Sequence, residues 1–310
     1  MAENKTKIIV VAGPTASGKT GMGIEIAKAV NGEIISADSM QIYKGMSIAT
    51  AAPTPFEQSE IPHHLVEEFE KNREYSVSLF CDMARELIKD IALRGKTPVI
   101  VGGTGLFIDS LVDNIHFTVA DTDFELRNRL LKKDVNELYD LLLSVDKEAA
   151  VKIHKNNKSR VVRALEIYYS SGITKSEQNE NSRLEESPYE TLYFILGYKD
   201  RSVLYNRINT RVDAMVKNGL VEEAKNALAN EDLKTSAQAI GHKELKPFFS
   251  GEISLETAVD NLKKETRHYA KRQITWFKRR ENAVFVEMDS KDINPVSAVV
   301  NKSREFVYGR

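Results

Sequence analysis

Lys7-Ile8-Ile9-Val10-Val11-Ala12-Gly13-Pro14-Thr15-Ala16-Ser17-Gly18-Lys19-Thr20 decides the fold. An apolar run of β-formers feeds a G-x-x-x-x-G-K-T turn, and Met22, Ile24, Ile26, Ala27 and Val30 behind it keep helical spacing. Strand, glycine-rich turn and helix start are the context a phosphate-binding P-loop requires. Gly13 and Gly18 permit backbone conformations that aim several N–H groups at one anion, with Pro14, Thr15, Ala16 and Ser17 carrying the loop between them. The helix dipole and the Lys19 charge complete the cradle, and the Thr20 hydroxyl is suited to Mg²⁺. The motif predicts bound, linked phosphates. It leaves open whether a phosphoryl group is transferred or a diphosphate leaves.

Downstream, Asn31-Gly32 ends the helix over 21–30, and Glu33–Asp38 reads as a second buried strand. Strand, helix and strand make a βαβ unit, hence a parallel sheet with right-handed crossover. Ligands of such sheets lie beyond the carboxyl ends of the strands, which puts Asp38 near the phosphates unless it only caps a turn. Residues 39–59 read as loop, and 62–66 as a short strand whose His63 and His64 point to opposite faces, a poor metal pair. An amphipathic helix over Ser76–Leu93 precedes a buried strand at Thr97–Val101. That strand ends in Gly102-Gly103-Thr104-Gly105, where many P-loop ATPases carry a metal-holding aspartate. The glycines predict close approach of backbone to ligand; Thr104 is either a hydrogen-bonding site residue or a helix cap.

Between about His116 and Pro188 the pattern changes to helices only, over Phe124–Lys132, Val135–Leu143, Lys147–Ile153 and Arg160–Tyr169. Residues 1–115 and 190–310 therefore read as an α/β core with C-terminal helices, and 116–189 as an all-helical insertion. Within the insertion Lys158–Arg163 is basic, and the polar, acidic stretch 174–187 predicts a mobile loop. Thr191–Gly197 is the last central strand. Helices follow over Arg201–Asn218, with Arg207 and Arg211 on one face, over Glu222–Ala229, after a turn at Ile240–Glu244, and over Leu255–Arg280. An edge strand at Ala283–Met288 and a helix over Val296–Phe306 close the chain. Arg267–Arg280 holds six Lys or Arg, three aromatics and no acid. Such a mixture suits a phosphate backbone and unstacked bases.

The 310 residues are 42% apolar and 29% charged with net charge −1, an ordinary soluble composition that excludes a uniformly basic nucleic-acid coat. A single cysteine, Cys81, allows no internal disulfide and suits a reducing cytoplasm. The short polar start and the absence of any long apolar run predict a cytoplasmic protein with neither secretion signal nor membrane span.

Taken together, GPTASGKT at 13–20, DSMQIY at 38–43, PHHL at 62–65, GGTGLF at 102–107, RALEIY at 163–168, RVDAM at 211–215, AIGHKEL at 239–245 and YAKRQITWF at 269–277 resemble the tRNA dimethylallyltransferase family over nearly the whole chain. The resemblance implies a nucleotide-kinase-like, P-loop NTPase-like α/β fold. It implies transfer of a five-carbon prenyl group from dimethylallyl diphosphate to the exocyclic amine of the adenosine 3′-adjacent to the anticodon, with Mg²⁺. Asp38 is then the acid that orients the amine and takes its proton, Thr104 lies near the reacting centre, and Arg211 or Arg207 binds the departing diphosphate. Asp38, Ser39, Met40, Gln41, Arg127, Ser159, Arg160, Val161, Val162, Arg163, Gln238, Gly241, Lys243, Lys271, Arg272, Gln273, Trp276 and Lys278 fall in segments that resemble the family's tRNA contacts.

The chain departs from the pattern at Phe107 and His242, where tyrosine is usual, and at Ala49-Thr50-Ala51-Ala52, where G-T-A-K is usual. The expected partners are tRNA and the prenyl diphosphate, and the expected state is a monomer. Two rival readings make other predictions. A P-loop small-molecule kinase has no use for the basic helix, and an RNA-binding protein with an inert P-loop makes no product.

Overall fold

The computed structural model describes residues 5–117, 123–182, 185–229, 233, 235–292 and 294–309. It separates into two compact units, Met1–Val112 with Pro188–Arg310, and Asp113–Ser187.

The first unit is built on a sheet of strands β1 (Thr6–Ala12), β2 (Gly32–Ser36), β3 (His63–His64), β4 (Thr97–Gly102), β5 (Tyr189–Gly197) and β6 (Val284–Glu287). Their order is β3-β2-β4-β1-β5-β6, with every pair parallel as the βαβ pattern predicts. Ile8 to Ala12 of β1 are fully buried, because a central parallel strand is covered on both faces. Register does the rest. Ala12 is level with Gly102 and Ile195, and Ser36 with Val101. The P-loop, the segment after β2 and the glycine-rich turn after β4 therefore leave the sheet together at the carboxyl ends of their strands.

Helices α1 (Lys19–Ala29), α2 (Ser47–Thr50), α3 (Pro55–Glu60), α4 (Val77–Leu93) and α5 (Gly105–Val112) connect the first strands. Ile9, Val11, Met22, Ile26, Val99 and Phe194 form the heart of the main core. Each such side chain contributes about 1.5–3 kcal/mol on burial. The short helices α2 and α3 lie inside the stretch read as loop. Thr54 and Glu57 close a capping box around Pro55, which starts α3 without an apolar stripe. The strand read over 62–66 is reduced to His63–His64.

The second unit contains α6 (Phe124–Lys132), α7 (Val135–Val145), α8 (Lys147–Lys152), α9 (Lys158–Ser171) and α10 (Lys175–Asn181). Leu126, Leu130, Leu138, Leu142, Val162 and Leu165 are among its core residues. Helix α10 replaces the first half of the expected mobile loop. Thr174 and Glu177 form a capping box, and Asp146 accepts from the Ser176 amide at 2.9 Å and its hydroxyl at 2.7 Å. Polar caps hold it where apolar residues are lacking.

After β5 the first unit continues through α11 (Arg201–Lys217), α12 (Leu220–Leu228), α13 (His242–Phe249) and α14 (Leu255–Phe277), and α15 (Pro295–Tyr308) follows β6. Val212, Leu220, Ala224, Leu245, Ala258 and Leu262 pack together from four of these helices. Among the described residues, no helix is long and apolar enough to cross a membrane.

Candidate active site

The P-loop adopts the backbone that its glycines allow. Gly13 has φ +149° and Gly18, at the start of α1, φ +91°. A Cβ on Gly13 would stand 2.5 Å from the Leu196 carbonyl, so only glycine fits. Side chains from distant helices brace the loop. Gln273 of α14 accepts from the Thr15 amide at 2.8 Å, and Arg207 Nε of α11 donates to the Ala16 carbonyl at 3.0 Å.

A cavity of about 260 Å³ opens beside the loop, lined by Thr15, Ala16, Gly18, Lys19 and Thr20 and, across from them, by Asp38 to Gln41. Arg211 lines it and Arg207 does not. The arginine pair that i,i+4 spacing could not separate thus divides into one that faces the cavity and one that holds the P-loop. Lys19 Nζ donates to the Pro14 carbonyl at 2.7 Å. Burial first, then the Arg211 charge, pulls its pKa down to about 7, and Asp38 only partly opposes this. Burial also lowers the Arg211 pKa, against the pull of Asp38. The cavity holds more positive charge than it neutralises.

Asp38 follows β2 as expected. One carboxylate oxygen accepts from the Met40 amide at 2.9 Å, a turn cap, while the residue still lines the cavity. Asp38 thus caps a turn and still faces the cavity. Thr104 presents its backbone carbonyl to the Phe107 and Ile108 amides at the start of α5, and its Oγ1 accepts from the Ser39 amide at 3.1 Å. Its hydroxyl therefore ties the glycine-rich turn to the Asp38 segment and does not cap the helix. Gln41 lines the cavity too, with its amide donating to the Thr50 and Ala51 carbonyls at 3.3 and 3.2 Å.

The glycines at the end of β4 also make room for the protein's own parts, and Gly102 lines the cavity as well. A Cβ on Gly102 would lie 2.1 Å from the Ala37 carbonyl, one on Gly103 2.3 Å from Gln273, and one on Gly105 2.2 Å from Trp276. The space is taken by the protein's own β2 exit and α14. Gln273 is buried and donates to the Gly103 carbonyl at 2.9 Å, so one amide side chain bridges the P-loop and the turn. Trp276 Nε1 donates to Asp109 at 2.6 Å. Both residues, read as RNA contacts, spend these polar groups on the fold.

Helix α14 is two-faced. Leu262, Thr266, Tyr269 and Gln273 recur at helical spacing and all line the cavity. Lys271, Arg272 and Lys278 are exposed. Tyr269, absent from the expected site, has its pKa raised by burial and then by the Asp38 charge, and its phenol stays protonated. Polar residues in register with Leu262 were the signal that the sequence offered. Gln238 and Gly241 also line the cavity, and Lys243 is exposed just beyond.

In the helical unit, Val161 and Val162 are each 1% exposed and belong to the core, which corrects their reading as RNA contacts: α9 turns them inward at helical spacing. Ser159, Arg160 and Arg163 face solvent, and Arg127 is half-buried. Glu166, 4% exposed, lies 3.4 Å from Arg127 and 3.3 Å from Arg163.

Among the described residues, no three His, Cys, Asp or Glu side chains group as metal ligands. His63 hydrogen-bonds the Ile61 carbonyl and His64 the Glu33 carboxylate, at 2.7 and 2.8 Å. The Thr20 hydroxyl and the Asp38 carboxylate share the cavity. One hydroxyl, one carboxylate and the oxygens of a bound phosphate form a donor set that fits Mg²⁺, which takes few protein ligands and keeps its waters.

A phosphate loop on the central strand of a parallel sheet, with an acid across one cavity from it, defines a P-loop-like α/β protein. Comparison with known proteins narrows this. The model of the IPP transferase family matches residues 41–280, and that of the isopentenyl transferase family residues 6–66. The chain belongs to the IPP transferase family. It is 47% identical over 279 residues to the tRNA dimethylallyltransferase of Caldanaerobacter subterraneus, covering 88% of this chain and 89% of the relative. With that of Lachnoclostridium phytofermentans it shares 43% over 302 residues, 95% of each. The crystal structure of the tRNA isopentenylpyrophosphate transferase of Bacillus halodurans is similar at TM-score 0.73 and 39% identity, covering 98% and 97%. A eukaryotic dimethylallyltransferase described as acting on tRNA aligns at TM-score 0.83 and 30% identity, covering 98% of this chain and 80% of that one.

Proposed function

We propose that the chain transfers the dimethylallyl group of dimethylallyl diphosphate to the exocyclic amine of the adenosine 3′-adjacent to the anticodon in tRNA. The observation that carries this reading is one cavity in which Lys19, Arg211 and the P-loop face the Asp38 carboxylate. The amine nitrogen bonds to the allylic carbon as the carbon–oxygen bond breaks, and the electron pair leaves on the diphosphate. That charge is the main burden, and the P-loop amides, Lys19 and Arg211 are preorganised for it. Arg207 acts by holding Ala16. Asp38 orients the weakly nucleophilic amine and takes its proton. Thr104, through Ser39, holds the segment that carries Asp38. The Thr20 hydroxyl would hold Mg²⁺, which when bound would further stabilise the leaving charge.

The adenine leaves its stack to enter the cavity, at a cost of a few kcal/mol. Ser39, Met40, Gln41, Gln238 and Gly241 line the cavity that receives it, with Lys243, Lys271, Arg272 and Lys278 exposed on the same unit for phosphates. The helical unit adds Arg127, Ser159, Arg160 and Arg163, the role we assign to the insertion read over 116–189. We place the enzyme in the cytoplasm as a monomer. Kinase chemistry has less support, because the curated relatives carry the dimethylallyltransferase name. Mass spectrometry of tRNA nucleosides after incubation with dimethylallyl diphosphate and Mg²⁺ tests the assignment. A prenylated adenosine is expected; ATP turnover with the prenyl diphosphate untouched would favour the kinase.

A further inference from the structure

Helix α2 is only four residues long and cannot hold its own conformation, since a helix this short does not repay its nucleation. Yet Ala49, Thr50 and Ala51 form one wall of the cavity, facing Val212, Met215 and Leu262 from the C-terminal helices. Besides the Gln41 amide on the Thr50 and Ala51 carbonyls, a buried clasp holds the wall. Glu223 of α12 accepts from the Ile48 amide at 2.8 Å and the Ala49 amide at 2.9 Å. His242, 3% exposed at the start of α13, places Nε2 3.0 Å from the same carboxylate. Burial alone would raise the Glu223 pKa, but His242 and the two amides hold it below the usual carboxylate range. The start of α13 closes on α2 as well, since a Cβ on Gly241 would lie 3.1 Å from that of Ala49.

We propose that Glu223 and His242 are positioning residues that fix α2 as the apolar wall of the cavity and thereby limit the size of the prenyl group it admits. The inference rests on the prenyl-transfer reading. Neither residue lines the cavity, so each acts through α2.

The test is calorimetric binding of five-carbon and ten-carbon prenyl diphosphates to the full chain with Mg²⁺. The wild type favours the five-carbon ligand. In Glu223→Ala that preference narrows by about tenfold, as expected for losing a buried hydrogen-bonded cluster. His242→Ala narrows it less. His242→Gln, whose side-chain amide can donate to Glu223, restores it, a rescue that general destabilisation does not give. Hydrogen exchange at Ile48 and Ala49 accelerates in Glu223→Ala. An unchanged ratio in folded Glu223→Ala overturns the proposal, as does unchanged exchange at those two amides. Should Glu223→Ala fail to fold, the isosteric Glu223→Gln is put through both measurements, and an unchanged ratio or unchanged exchange there overturns the proposal equally. A wild type that binds both ligands with the expected preference but prenylates no tRNA sinks the transfer reading and leaves the clasp standing.

Discussion

Two groups of cations in this molecule are held in opposite ways. In the cavity, Lys19 sits beside Arg211, and burial together with that like charge outweighs Asp38. In the helical unit, Arg127 and Arg163 share the buried carboxylate of Glu166. The first arrangement is strained until an anion arrives, which suits a discrete, highly charged ligand. The second is already paired and leaves the two arginine side chains 41% and 47% exposed, a geometry for a diffuse chain of phosphates. Crowded cations select one anion; steered cations follow a polymer.

The largest effect falls on the crowded group. Lys19→Ala should cut turnover roughly a thousandfold and weaken diphosphate binding with it, on the scale of losing a principal charge donor. Titration offers a second check. The free protein's Lys19 pKa near 7 lies below the unfolded value, so between these pH limits the unfolded chain binds more protons and stability rises with pH. Diphosphate favours the charged ammonium, so its affinity should fall as pH rises above 7. Calorimetry at pH 8 should register proton uptake on binding, which Lys19→Ala abolishes. Equal affinity at pH 6.5 and 8.5 would remove the crowding from the comparison.

Next is the acid. Asp38→Ala should leave tRNA binding nearly unchanged and lower turnover by about a hundredfold or more. Near-normal turnover would show that the carboxylate serves only its contact with Met40.

How much of this was readable beforehand follows from distance along the chain. The strand, P-loop and α1 are contiguous, and the βαβ unit carries Asp38 to the same carboxyl end of the sheet, so the fold and the two sides of the cavity were legible together. The bracing role of Gln273 was not legible because its partners, Thr15 and Gly103, stand 258 and 170 positions away. The basic run around it drew attention to RNA, although Tyr269 and Gln273 continue the spacing of Leu262. Gly103 and Gly105 were read for a ligand because nothing local shows that α14 fills the space beside them. Val161 and Val162 were carried along with the whole 159–163 segment by its resemblance, although they are apolar and their helical period turns them inward. Helix α10 was missed in the other direction: Thr174 and Glu177 carried a capping signal that a poor apolar count concealed.

Gln273 supports the crowded group mechanically, and its removal should cost less than removing a charge. Gln273→Ala frees the Thr15 amide and the Gly103 carbonyl together, and we expect turnover to fall about tenfold through a P-loop that is no longer held. Gln273→Glu keeps the contact to Thr15 but sets an oxygen against the Gly103 carbonyl. It should therefore be no better than alanine; recovery of activity in the glutamate variant would mean that only the Thr15 contact matters.

The smallest effect has the most informative sign. Glu166→Gln removes a negative charge from the helical unit, and simple electrostatics then predicts tighter RNA binding with a steeper salt dependence. Steering predicts the reverse. Glu166 is buried and reaches both Arg127 and Arg163, so its carboxylate fixes where two flexible guanidiniums point. A glutamine keeps the volume but gives up much of that hold, because an arginine bonded to a charged acceptor is held more firmly than one bonded to a neutral amide. We expect tRNA affinity to drop about two- to fivefold at moderate salt even as the net charge grows more positive. Filter binding over a salt series decides between the two. Weaker binding with an unsteepened slope keeps the steered surface, whereas tighter binding reduces Glu166 to a neutralising charge and dissolves the contrast with the cavity.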